Sequence, residues 1–193
     1  DKAGNRKTIT ENGGNISTYA YDGAYRLVSE SYTGGLTIDY TYDEVGNRLT
    51  ETRNGVLTNF TYDADNRLTS KGTATYSYDD NGNLAQKNDG GQFTNYTWSY
   101  ENRLTKVALP DGGNLSYEHT TDGIILSRAL NGTKTSYEYD FGKANGLSDI
   151  IADYNANGSL QARYLHELGI DEPLAVIRGD TMQYYLRDAL GSV

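Results

Sequence analysis

Seven times along the chain an aromatic residue, a spacer and a second ring-bearing residue stand in a row: Tyr19-Ala20-Tyr21, Tyr40-Thr41-Tyr42, Phe60-Thr61-Tyr62, Tyr76-Ser77-Tyr78, Tyr96-Thr97-Trp98, Tyr117-Glu118-His119 and Tyr137-Glu138-Tyr139. The second members fall at 21, 42, 62, 78, 98, 119 and 139, in steps of 21, 20, 16, 20, 21 and 20. A period near 20 marks a repeat architecture in which each unit buries its face against its neighbours. Residues two apart on a strand share a face, so each repeat sets two large flat side chains side by side on one face of a sheet. These motifs hold 13 of the 22 Phe, Trp and Tyr residues, so burial in this chain is mainly their work.

A turn follows each pair. Tyr21 leads into Asp22-Gly23-Ala24-Tyr25-Arg26-Leu27, Tyr42 into Asp43-Glu44-Val45-Gly46-Asn47-Arg48-Leu49, Tyr62 into Asp63-Ala64-Asp65-Asn66-Arg67-Leu68, and Tyr78 into Asp79-Asp80-Asn81-Gly82-Asn83-Leu84. Asp suits the first position of a type I turn, where its carboxylate accepts backbone N–H groups. Three residues on, Gly46, Asn66 and Gly82 suit the positive φ of the bulge that closes such a hairpin. After Trp98 and before Arg103, Ser99 replaces Asp; after His119, Thr120 does; Tyr139-Asp140 restores it. Length and turn chemistry survive where Asp is lost, which fits a structural motif better than a catalytic one. A second turn lies between repeats, at Thr33-Gly34-Gly35, Arg53-Asn54-Gly55, Asp89-Gly90-Gly91, Asp111-Gly112-Gly113 and Asn131-Gly132. Asn-Gly and Asp-Gly between alternating runs are strong hairpin signals. The expected fold is all-β, consecutive antiparallel hairpins forming a long curved sheet, with no helix beyond about three turns. Arg26, Arg48, Arg67 and Arg103 follow the turns. Two readings stand for them: a guanidinium over a Tyr face, or a turn arginine that is either solvated or a partner for the turn Asp.

Composition narrows the function. Exchanging the 18 Tyr for the 22 Gly in the 36% apolar count gives about 38%, below the usual range of about 45–50%. The core is therefore thin and aromatic. A net charge of −9 and a pI near 4.6 oppose a nucleic-acid partner, whose phosphates call for a basic stripe. No apolar run approaches the length of a membrane span, so membrane insertion by this segment is not expected. Cysteine is absent, so no disulfide framework exists. His119 and His166 lack the partners of a zinc site, Asp79-Asp80-Asn81-Gly82-Asn83 lacks the spacing of an EF-hand loop, and no cofactor fingerprint occurs. Arg178-Gly179-Asp180 occupies an expected hairpin turn, and the six Asn-x-Ser/Thr sequons arise readily in an Asn- and Thr-rich chain. Catalytic, cofactor and metal sites are thus all expected to be absent. Rows of flat rings can also stack on sugars, which leaves a glycan-binding, cell-surface adhesion module as a second reading; ring exposure separates the two.

The run Tyr42-Asp43-Glu44-Val45-Gly46-Asn47-Arg48-Leu49, repeated at this spacing, resembles the YD repeat of Rhs (rearrangement hotspot) proteins, found also in Tc-toxin components, wall-associated proteins and teneurins. Tyr164-Leu165, Gly169, Asp171-Glu172-Pro173-Leu174-Ala175-Val176 and the run from Tyr184 to Val193 resemble the start of the Rhs-associated core. Residues 1–145 are then expected to be the hairpin array, and 146–193 its last repeats with the beginning of that core. Both ends look like cuts. The resemblance implies a sheet that spirals into a hollow shell around a C-terminal toxin domain, in a parent protein that is secreted or displayed at the cell surface. The partners it implies are the rest of that shell and the enclosed domain.

Overall fold

The computed structural model describes residues 1–11, 13–142, 148–167 and 173–186. Gly169, Asp171, Glu172 and the run from Arg187 to Val193, part of the expected core motif, lie outside the described residues, as does the 145/146 boundary. Every regular element among the described residues is a β-strand.

Two compact units divide the chain, Asp1–Asp79 with Gln86–Phe93, and Asp80–Ala85 with Thr94–Val193. The first contains β1 (Thr8–Thr10), β2 (Ile16–Tyr21), β3 (Leu27–Tyr32), β4 (Thr37–Tyr42), β5 (Arg48–Arg53), β6 (Val56–Tyr62), β7 (Leu68–Lys71) and β8 (Ala74–Tyr78). Each strand pairs antiparallel with the next. After β9 (Leu84–Asp89), the second unit runs through β10 (Gln92–Trp98), β11 (Leu104–Ala108), β12 (Asn114–His119), β13 (Ile125–Leu130), β14 (Thr133–Asp140), β15 (Asp149–Asn155), β16 (Leu160–His166), β17 (Pro173–Arg178) and β18 (Thr181–Tyr184). There too β10 to β18 pair in succession, antiparallel throughout.

The register shows how a repeat closes. At six of the seven pairs the register shifts before the second ring, between Ala20 and Tyr21, Thr41 and Tyr42, Thr61 and Tyr62, Thr97 and Trp98, Glu118 and His119, and Glu138 and Tyr139, and the extra residue lies on the strand that follows (Val28, Leu49, Thr69, Thr105, Leu126 and Ile151). A bulge opposes two residues to one and sharpens local twist. The turns beyond are closed by paired bonds: Gly46 N–H to Asp43 O at 3.3 Å and Asp43 N–H to Asn47 O at 2.9 Å, with the same pattern from Asp22, Asp63, Ser99 and Thr120.

The opposite strand ends use several kinds of turn, including, between Tyr32 and Leu36 and between Leu109 and Gly113, the same paired bonds as at Asp43. At Asn54-Gly55 and Asn131-Gly132 both residues have positive φ (47° and 81°, 50° and 82°), the type I′ geometry whose twist matches the flanking strands. Gly72, with φ 57°, opens a two-residue loop between Lys71 and Ala74, which the sequence reading did not include. Short β7 and β8 with this minimal loop account for the single 16-residue step.

Burial is thin, as the composition requires. In the first unit it centres on Ile38, Tyr40, Phe60 and Ala74, and in the second on Val107, Ala152, Ala162, Ala175 and Val176. Tyr40 and Phe60 are each 9% exposed, while the second rings of the pairs are half-buried.

Candidate functional site

The feature that recurs with chemical regularity is the turn edge, where each repeat is fastened to the next. Tyr42 donates its hydroxyl to Leu27 O at 2.7 Å, Tyr62 to Arg48 O at 3.0 Å, Tyr78 to Leu68 O at 2.8 Å and Tyr139 to Ile125 O at 2.6 Å. Trp98 does the same through its indole N–H, to Leu84 O at 2.8 Å. Leu27, Arg48 and Ile125 are the residues paired across the bulge with Tyr21, Tyr42 and His119. Each of these five second rings therefore caps the strand start of the repeat before it. The substitution of Trp for Tyr preserves the bond because both carry one donor at the far edge of a flat ring.

The turn carboxylates are fully occupied within their own loops. Asp22 Oδ1 accepts the N–H groups of Ala24 and Arg26, and Oδ2 takes Arg26 Nε at 2.7 Å. Asp63 repeats this with Asp65 and Arg67, and Asp43 with Val45 and with the backbone and side chain of Asn47. The backbone bond from the fourth residue on is the main reason that Asp22 and Asp63 are held below the ordinary carboxylate range. At Asp43 desolvation pushes upward and is outweighed by the bonds from Asn47, Gly46 and Val45. Asp140 accepts Gly142 N–H at 2.8 Å. The positive φ falls three residues past the turn opener, at Gly46 (100°), Asn66 (61°), Gly82 (84°), Asn102 (60°) and Gly123 (93°). It also falls at Tyr25 (63°), a position that composition gave no reason to single out.

The arginines combine the two readings left open. Arg26 pairs with Asp22, lies 4.9 Å from the centre of the Tyr42 ring, and donates Nη1 to Asp43 O at 2.7 Å. Arg67 pairs with Asp63 at 2.7 Å and lies 5.1 Å from the Tyr78 ring. Arg103 reaches the next turn directly, at Thr120 O (2.7 Å) and Thr121 O (2.6 Å). A Cβ at Gly123 would stand 3.2 Å from Arg103 Nε, a second reason for glycine there. Arg48 is different. Its turn is one residue out of step with the others in the run after Gly46, so Asn47 takes the slot of Arg26 and Arg67. Asn47 accordingly donates to Asn66 Oδ1 at 2.9 Å, as Asn83 does to Asn102 at 2.8 Å. Arg48 instead lies 4.3 Å from the Tyr40 ring of its own repeat and bonds Glu51 at 3.1 Å.

At the other strand ends a side chain stands in for a strand residue. Asn54 accepts Thr37 N–H at its Oδ1 (2.8 Å) while its own N–H donates to Thr37 O (2.9 Å), and Asn131 treats Asn114 the same way. Thr33 does so to Ile16 through its hydroxyl at 2.7 Å. These bridges, each 17 residues in span, extend the ladder past the last paired residue.

The matching family model is the Teneurin YD-shell, over residues 4–102, more than half of the chain. The chain belongs to the Teneurin YD-shell family. No curated protein gives a match. Among solved structures, a pore-state Tc holotoxin of Photorhabdus luminescens with a mutated TccC3 component superposes with a TM-score of 0.57 at 17% identity, covering 92% of this chain and 13% of that one. A TcdB2-TccC3 crystal structure without its hypervariable C-terminal region gives 0.54 at 17% identity, covering 89% and 13%. The YD-shell chain thus shares their fold while spanning a small part of their length. All-β hairpins in series are the architecture of the family, and the turn edge is the device that joins one hairpin to the next.

Proposed function

We propose that this chain is wall material of a YD-repeat shell that encloses a C-terminal toxin domain, and that it has no catalytic activity of its own. The observation that carries this reading is the consumption of reactive groups by structure. Ring hydroxyls bond backbone carbonyls one repeat away, turn carboxylates bond their own loops, and arginines bridge successive turns. A hydrolytic pair would need carboxyls set apart from such bonds, one of them with a raised pKa; the turn aspartates are shifted the opposite way. The Tyr, Asp, Gly and Arg positions of the motif, from Tyr21 and Asp22 to Tyr139 and Asp140, serve in this reading as fasteners. Packed rings also support the wall over glycan stacking, since Tyr40 and Phe60 present little surface.

The test lies in the parent protein. Removing these repeats should expose the C-terminal domain to added protease or make the parent toxic to the cell that produces it. Retained protection of that domain after the deletion would overturn the shell reading. Micromolar binding of a defined glycan by the isolated chain, lost when one aromatic pair is changed to alanine, would replace it with adhesion.

A further inference from the structure

Arginines on the aromatic face differ between the two units. In the first, Arg48 and Arg53 both engage Glu51. In the second, Arg128 of β13 faces Tyr117 on β12 and Thr135 on β14, and it has no carboxylate partner among the described residues. The acid nearest in register on this face, Asp153, stands opposite Tyr137 and accepts the Tyr164 hydroxyl at 2.9 Å. Beside Arg128 lies a cleft of about 450 Å³ walled by Leu115, Leu130, Asn131, Thr133 and Thr135. Leu115 and Leu130 are directly paired across the strands, and Leu130 is 51% exposed. A guanidinium that is fixed in charge and unpaired thus stands two residues from an exposed aliphatic side chain, on one face of one strand.

We propose that this cleft docks an extended polypeptide segment bearing a carboxylate and an aliphatic side chain two residues apart. In an extended segment such side chains share a face about 6.6–6.8 Å apart, the spacing of Arg128 and Leu130 themselves. The carboxylate meets the fork of Arg128 in the two-bond geometry that arginine favours. The aliphatic group covers Leu115 and Leu130, and Thr133, Thr135 and Asn131 offer hydrogen bonds to the segment's backbone. Charge complementarity selects the occupant. A basic segment meets the guanidinium as a like charge, and an uncharged one leaves it unpaired. Only the source of the segment, a polypeptide held within the shell, rests on the wall reading.

The test uses the whole chain and the blocked peptide acetyl-Glu-Ser-Leu-Thr-Leu-amide, with its Gln-for-Glu counterpart, followed by amide chemical shifts. The acidic peptide should move the amides of Leu115, Arg128, Leu130 and Thr135 in a saturable way. The Gln peptide on the unaltered chain, and the acidic peptide on Arg128→Gln, should each bind about fivefold more weakly, the order expected of one partly screened charge pair. Arg163→Gln, in β16, whose pairing puts it on the other face, should bind normally. No shifts at these amides up to about 10 mM peptide, or equal affinity for the Glu and Gln peptides, would overturn the docking site. So would equal losses from the Arg128 and Arg163 variants. Failure here leaves the wall reading standing, and failure of the deletion experiment leaves the docking result standing.

Discussion

At the scale of single residues, backbone conformation separates positions that look alike in a turn. Gly46 has a φ of 100° and an open space where a Cβ would stand. Any penalty there is therefore conformational rather than steric against neighbours, and a β-branched side chain at positive φ is an outlier. Gly46→Val should lower the denaturation midpoint clearly more than Glu44→Val, whose position has negative φ; equal effects in chemical denaturation would refute the turn geometry. Tyr25 presents the reverse case. It holds φ 63° with its ring 64% exposed, so little burial compensates for the strained backbone. Tyr25→Gly should stabilise the chain by about 1 kcal/mol, the lower end of the cost of left-handed backbone, read from the same curves. An unchanged or lowered midpoint would show that the Tyr25 ring contributes more than its exposure indicates.

At the scale of the element, what was legible in the sequence and what was not divide along a physical line. Strand spacing, paired rings, the Asp turn and the Asn-Gly turn are local chemistry, visible in a window of about eight residues. The fasteners that span 10 to 19 residues are not, because they depend on how neighbouring strands are set against each other, including the extra residue, Leu49 or Thr105, that bulges opposite Tyr42 or Trp98. Nothing in the run Arg48-Leu49-Thr50 announces that bulge. The slot of Asn47 was missed for a related reason: Arg48 reads as the turn arginine, and only register shows that it pairs with Tyr42. Tyr42→Phe isolates a fastener, keeping the ring and removing the donor to Leu27 O. It should cost about 0.5–1.5 kcal/mol; a neutral result would mean that the hydroxyl bond adds nothing to packing. A second element-scale prediction comes from β3 and β4, where Glu30 accepts the hydroxyls of Tyr32 and Tyr40. The bond to Glu30 pushes Tyr32 up to about 12, and burial with the same carboxylate raises Tyr40. Unfolded tyrosine titrates near pH 10. Between there and the folded values the unfolded chain holds fewer protons, so stability falls as pH rises. It should be level below about pH 10 and decline toward pH 12, and less steeply in Glu30→Gln. Parallel declines in both proteins would count against the clamp.

At the scale of the whole molecule, a repeat is two strands and two turns, and each fastener reaches one repeat only. Stability in such an array is close to a sum of repeat and neighbour terms, which makes the repeat, rather than the strand, the unit that can be removed. Deleting residues 43–62 joins Tyr42 to Asp63, so the pair Tyr40-Tyr42 inherits the Asp63 turn with Asn66 and Arg67 in place. Strand β4 then meets β7 as β6 does now, antiparallel and with its bulge in the same place. The deleted protein should keep a strand-dominated far-ultraviolet circular dichroism spectrum and a cooperative thermal transition. Deleting residues 43–52 is a smaller cut but removes one strand with one turn. The retained Asn54-Gly55 turn then joins β4 to β6 antiparallel, so every later strand is reversed, the two turn edges exchange sides from that point on, and the fasteners across the junction are lost. This shorter deletion should abolish the cooperative transition. If the 10-residue cut is tolerated as well as the 20-residue one, the hairpins do not depend on their fasteners, and the wall is held together by strand pairing alone.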